Sequence, residues 1–263
     1  MAEELGVWAY AIASRLRPIQ LGGVTGVDRE PLRTIEMGEL TAVVGTVHLD
    51  EFGEEPLRSK LDDLDSLDVI ARAHHDVVAL TARCAPTVPM RLATVYHNDE
   101  GVAAMLTERR DGLVAVLEQI AGRTEWGVKI YATNGIGEDA AAEADSTTTS
   151  TRPGTAYLHR RRAQLSAAES ARQEAVESAR EVHEILSGLA VAARQHAPQD
   201  PQLTGEARWM VLNGAYLIDD SVAEPFAEQV RTLSSRHPSI KLELTGPWPA
   251  YSFSAIPDKE PPA

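Results

Sequence analysis

With 263 residues, 43% of them apolar, the chain is long enough for one large core or two ordinary ones, and its balance is that of a globular protein. A formal net charge of −14 denies it the positive field that general binding to nucleic acid or anionic membrane requires. Its single cysteine, Cys84, rules out an internal disulfide, which fits a reducing cytoplasm.

The first residues, MAEELGVWAY, contain no basic segment followed by an apolar run, so no secretory signal is expected. No stretch approaches the roughly 18–20 apolar residues of a membrane-spanning helix, and a soluble cytoplasmic protein is expected. Residues 7–13, VWAYAIA, read as a buried strand, and the Gly-rich stretch 21–31 as a loop. Residues 33–36 and 40–47 suggest a hairpin around Met37-Gly38, and the acidic stretch 50–60 reads as turn-like. Leu61, Leu64, Leu67, Ile70, Val77 and Leu80 recur near helical spacing and predict a helix from about Lys60 to Cys84. TVPMRLATVY, 87–96, is β-rich; Pro89 has no N–H to donate and belongs at an edge, a strand start or a bulge. A second helix over about 100–121 and a strand over 126–133 follow. The succession β-β-β-α-β-α-β predicts an α+β fold. A ferredoxin-like N-terminal domain over 1–137 is expected, with helices on one face of a mostly antiparallel sheet.

Residues 138–153 are small, polar and of low complexity, and are expected to form a flexible linker. Beyond it, one helical pattern runs over 155–196. Leu165, Ala168, Ala171, Ala175, Ala179, Val182, Leu186, Leu189 and Ala193 step along it by three or four, which predicts a coiled-coil-like seam. Many seam positions are alanine, so each contact along it is weak. A strand over 207–218, a helix over about 222–236 and a strand over 239–244 complete a C-terminal α+β domain spanning 154–256. The tail 257–263 is expected to be disordered.

The sequence contains little catalytic chemistry. His74-His75-Asp76 looks metal-like, but neighbouring residues on a helix point about 100° apart, so the two rings cannot share a ligand face. They read as surface or boundary histidines. Asp62, Asp63, Asp65 and Asp68 lack the glycine and the terminal Glu of a calcium loop, and suit a helix start. Gly135-Ile136-Gly137 lacks the third glycine of a dinucleotide loop. Cys84 ends an apolar helix and reads as structural. Arg160-Arg161-Arg162 is either a solvated helix face or a docking patch for an acidic partner. No catalytic residue, cofactor or metal is assigned, and a binding or assembly protein is expected rather than an enzyme.

The remaining signal is LTGPWPAYSF, 244–253. Gly246, Pro247 and Pro249 restrict the chain to a bend. Trp248 and Tyr251 then either lock the last sheet to the long helix or face a partner, and Tyr251-Ser252-Phe253 are expected to resume an edge strand. This motif joins VPMRLATVY (88–96), WGVKIYA (126–132), RPGTAYLHRRR (152–162) and MVLNGAYLID (210–219) in a pattern that resembles the gas vesicle protein F/L family, GvpF/GvpL, from about Val7 to Ser254. The family commonly reads Phe-Gly after TVPMR; here Leu92-Ala93 stand in that place. The resemblance implies a two-domain α+β accessory protein of gas vesicle formation, cytoplasmic and a minor vesicle component, with helices that pair in coiled-coil fashion. It implies no enzymatic activity and no cofactor. It implies partners in the principal hydrophobic shell protein and other accessory gas vesicle proteins, with a role in nucleating or chaperoning the shell. Candidate partner-binding residues are Pro89, Met90, Arg91, Tyr157, Arg160, Arg161, Arg162, Trp248, Tyr251 and Phe253. The alternative is a small-ligand-binding regulatory protein built on paired ferredoxin-like domains.

Overall fold

The computed structural model describes residues 4–16, 21–133, 153–198 and 208–255. The expected linker and tail lie outside these residues. The chain divides into two units, one drawn from Met1–Glu125 with Pro247–Ala263 and one from Trp126–Gly246. Each has its own antiparallel sheet, and the fold is α+β.

The first unit opens with β1 (Leu5–Ser14), β2 (Leu32–Met37) and β3 (Leu40–His48). Three helices follow: α1 (Leu49–Phe52), α2 (Glu54–Asp62) and α3 (Leu64–Cys84). Next come β4 (Thr87–Pro89), β5 (Val95–Tyr96), α4 (Asp99–Glu108) and α5 (Arg110–Ile120). The strand order is β2-β3-β1-β4, with β5 also pairing β1. Gly6 to Ala13 of β1 are all buried, so both faces of this central strand are covered. The register against β3 slips between Ala9 and Ala11, making Tyr10 the extra residue of a bulge. The bulge turns Trp8, Tyr10, Ala11 and Ala13 onto one face, against Ile70, Val77 and Val78 of α3 with Phe52 and Leu57.

The expectation of helices on one face is corrected. Leu32 packs with the α3 core. Its neighbour Arg33 points to the opposite face, where its guanidinium bonds both oxygens of Asp99 at the start of α4, at 2.8 and 2.7 Å. There α4 and α5 bury Val102, Leu106, Leu113, Val116 and Leu117. The sheet therefore carries helices on both faces. The acidic stretch 50–60, expected as a turn, is helical as α1 and α2. Glu54 and Glu55 sit in the first turn of α2, where the helix dipole favours them, and Arg58 pairs with both. Pro56 falls within that first turn, where no intrahelical N–H is lost. The helix expected from Lys60 begins instead at Leu64. Asp63 is extended, and its side chain accepts from the Ser66 N–H at 3.0 Å as an N-cap.

The second sheet and its helices are β6 (Arg123–Ala132), α6 (Pro153–Leu189), β7 (Ala192–His196), β8 (Met210–Asp219), α7 (Ala223–Arg236) and β9 (Ile240–Trp248), the first residues of β6 and the last of β9 belonging to the first unit. Its strands run in the order β7-β8-β6-β9. Thus β6, expected at the end of the N-terminal sheet, pairs in the second one. Val128, Ile130 and Ala132 of β6 and Leu212, Tyr216 and Ile218 of β8 face one core. The cover is Ala175, Ala179, Val182 and Leu186 of α6 with Phe226, Val230 and Leu233 of α7. The helix expected over 155–196 stops at Leu189. Ala192–His196 form a strand instead, paired with Leu217 to Asn213 of β8. Ladder pairing there outweighs the helical propensity of the Ala-rich sequence.

Candidate functional site

The histidine pair separates at once. His74 is buried, which corrects its reading as a surface or boundary residue. The Trp8 Nε1–H donates to His74 Nδ1 at 3.1 Å, and His74 Nε2 lies 3.1 Å from the Met90 carbonyl. An indole only donates, so Nδ1 accepts and the proton resides on Nε2. Both ring nitrogens are occupied, and burial holds the ring neutral, its pKa lowered to about 4. His75, one residue on, faces outward. Among the described residues no group of three or more His, Cys, Asp or Glu side chains could hold a metal ion.

A second buried polar centre closes the loop 21–31. The Tyr10 hydroxyl donates to the Glu30 carboxylate and accepts from the Val27 N–H at 2.8 Å. Glu30 also accepts from the Asp28 N–H at 2.8 Å. Burial raises both groups above their ordinary values, Tyr10 further through its bond to Glu30. A Cβ at Gly26 or Gly45 would overlap the Glu30 carboxylate, so the two glycines make its seat. The side chains of Tyr10 and Glu30 are both buried.

The C-terminal motif does not resume a strand. After Gly246, whose φ of +116° suits glycine alone, β9 ends at Trp248, and Tyr251–Phe253 form a 3-10 turn. Two of its aromatic rings meet His75 of α3. Tyr251 stacks on His75 with ring centres 6.0 Å apart and bonds its Nδ1 at 3.1 Å. Trp248 meets the same ring edge-on at 5.6 Å. The Ser252 N–H and hydroxyl both donate to the buried Glu125 carboxylate, each at 2.7 Å. Phe253 is buried, whereas Trp248 and Tyr251 remain 42% and 39% exposed. The segment is thus anchored at Ser252 and Phe253 and partly open at its two larger rings.

Pro89 lies on β4, the outermost strand of its sheet, as expected of a residue with no N–H to donate. Pro89 is buried and opposite Ala11. The Met90 N–H donates to the Tyr10 carbonyl at 2.9 Å, and its own carbonyl meets His74. Arg91 is exposed. Ala93, in the place where the family commonly has glycine, stands at a φ of +65°. Arg161 and Arg162 are exposed on α6, while the side chains of Tyr157 and Arg160 lie outside the description. The seam of α6 is used only in part. Every residue from Arg161 to Glu174 except Ala171 is exposed, and burial begins at Ala175.

One feature was invisible in the sequence. A groove of about 760 Å³ opens between α1 and α2 on one side and residues 93–97 on the other. Leu49, Phe52, Leu57, Leu61, Val95 and Tyr96 supply its apolar lining. Reading 50–60 as a turn hid it, because α2 forms one wall.

Comparison with known proteins bears on the whole chain. A family model described as "Gas vesicle synthesis protein GvpL/GvpF" matches residues 6–255. Gas vesicle protein L of Streptomyces sp. (strain CB03234) is 38% identical over 257 residues, covering 96% of this chain and 94% of that protein. Gas vesicle protein F2 of Halobacterium salinarum (strain ATCC 700922 / JCM 11081 / NRC-1) is 23% identical, covering 90% and 86%. The crystal structure of GvpF from Anabaena sp. PCC7120 shares the fold, with a TM-score of 0.67 at 18% identity, covering 98% of this chain and all of that one.

Proposed function

The chain belongs to the gas vesicle synthesis protein family GvpL/GvpF, and from that premise we propose that it is an accessory protein of shell assembly. In this reading it binds the principal hydrophobic shell protein, helps nucleate or chaperone its assembly, and stays with the vesicle as a minor component. Other accessory gas vesicle proteins are further partners, and the site of action is the cytoplasm and the vesicle. The observation that carries the reading is the family match along residues 6–255. The buried polar groups are engaged with one another: His74 has both ring nitrogens bonded in the core, and Tyr10 donates to Glu30. Among the described residues no helix is long and apolar enough to cross a membrane.

We also read each unit as a ferredoxin-like module. What supports this is the shared strand order, second-third-first-fourth, in both sheets. The second unit has the full succession β-α-β-β-α-β.

Co-purification tests the functional reading. The tagged chain co-expressed with the principal shell protein should retain that protein in the soluble fraction, and the shell protein alone should sediment. A vesicle-making cell lacking this chain should lose flotation; one that floats normally overturns the reading.

A further inference from the structure

The groove of the first unit carries a further step. Phe52 and Leu57 form its nearly closed floor, and Leu49, Leu61, Val95 and Tyr96 its half-buried walls. One wall is β5, which among the described residues pairs with β1 alone, so its outer edge has no neighbouring strand. The charges at the mouth are unequal. Arg58 is taken up by Glu54 and Glu55, at 3.2 and 3.3 Å. Glu4 and Asp62 line the same mouth, are exposed, and make no ion pair among the described residues. An apolar floor therefore lies under a net negative rim.

We propose that this groove seats an apolar segment of the shell subunit, flanked by Lys or Arg and laid along β5. The proposal rests on the shell-binding function above and locates its contact. Pro89, one of the candidate partner-binding residues, is buried, and the Met90 N–H and carbonyl are both already bonded. The same stretch of chain becomes available a few residues later, at Val95 and Tyr96. A strand edge beside an apolar floor is what a self-associating subunit needs in order to be held singly: edge pairing supplies affinity and the floor accepts its side chains. The uncompensated carboxylates select basic flanks and make the encounter salt-sensitive.

The test uses the full chain, tagged and co-expressed with the principal shell protein, with captured shell protein quantified. Two variants are compared with the wild type: Leu61→Glu in the wall, and Glu4→Lys with Asp62→Lys at the mouth. The charge-reversed double variant should melt as the wild type does, because neither carboxylate makes an ion pair among the described residues, and should capture at least about fivefold less shell protein, a loss of roughly 1 kcal/mol. Leu61→Glu should lower capture at least as much. If the wild type captures shell protein and the charge-reversed variant captures as much, the groove is not the site, while the accessory function stands. If the wild type captures none, the accessory function fails and the groove assignment with it. If the groove variants instead abolish a concentration-dependent dimer of the chain and leave capture intact, the occupant is a second copy and the proposal is overturned.

Discussion

At the scale of single residues, His74 and Ala93 make the sharpest predictions. The folded pKa of His74, about 4, lies below the roughly 6.5 of an unfolded histidine. Between these values the unfolded chain binds a proton that the native chain refuses. The stability contribution is thus complete above about pH 6.5 and is lost as pH falls toward 4. Glu30 works in the opposite direction, since burial raises its folded pKa and favours the native state as pH falls. A His74→Gln variant isolates the histidine: from pH 7 to pH 5, urea denaturation should show the wild type losing about 2 kcal/mol more than the variant. Equal losses would mean that His74 is not held neutral. Ala93 sits at φ +65°, where a Cβ costs of order 1 kcal/mol. Ala93→Gly should stabilise the protein by about 0.5 kcal/mol after the extra unfolded-state entropy of glycine is subtracted. A lowered melting temperature would show that the alanine methyl packs better than its backbone strains. Neither property was legible from composition or spacing. The histidine pair looked superficial because a helix's buried stripe depends on which face its sheet covers. Ala93 stood out only as a departure from the family's usual glycine.

At the scale of elements, the C-terminal segment divides into anchor and open surface. Phe253 is buried and Trp248 is nearly half exposed. Phe253→Ala should therefore cost about 3 kcal/mol in chemical denaturation, and Trp248→Ala about 1. A Trp248 effect as large as that of Phe253 would make the tryptophan part of the lock. Weakened partner binding at normal melting would assign it to a partner-facing surface. Glu125 accepts two hydrogen bonds from Ser252, so Ser252→Ala, which removes the hydroxyl donor and keeps the N–H, should cost about 1–2 kcal/mol. The proline-bracketed bend was readable from LTGPWPAYSF because proline and glycine restrict φ locally. Its docking partner was not, since Glu125 lies 127 positions from Ser252 and no local rule connects them. The same limit explains the helices. The periodicity of α3 was visible, but its start at Leu64 depended on Asp63 acting as a cap, and α1 and α2 were mistaken for turns because their charges mask a single buried row.

At the scale of the whole molecule, the exposed stretch of α6 is the feature that bears on partners. Among the described residues, the segment of α6 from Arg161 to Glu174 is exposed apart from half-buried Ala171, and a helix of that length gains little stability without packing. Arg161→Glu with Arg162→Glu should leave melting unchanged within about 0.5 kcal/mol. If those guanidinium groups dock an acidic partner, co-purification of other gas vesicle proteins should fall; unchanged recovery would leave them a solvated face. The sequence by itself determined the α+β class, the strands β1 to β3, the seam at Ala175 to Leu186 and the family, because periodicity and short motifs are local properties. Only the tertiary structure decided which sheet β6 joins, that Ala192–His196 are strand, that Pro89 is buried and that a groove opens beside β5. Those outcomes depend on which distant strand or helix supplies the missing hydrogen bonds and apolar cover, and that competition is settled across the whole chain.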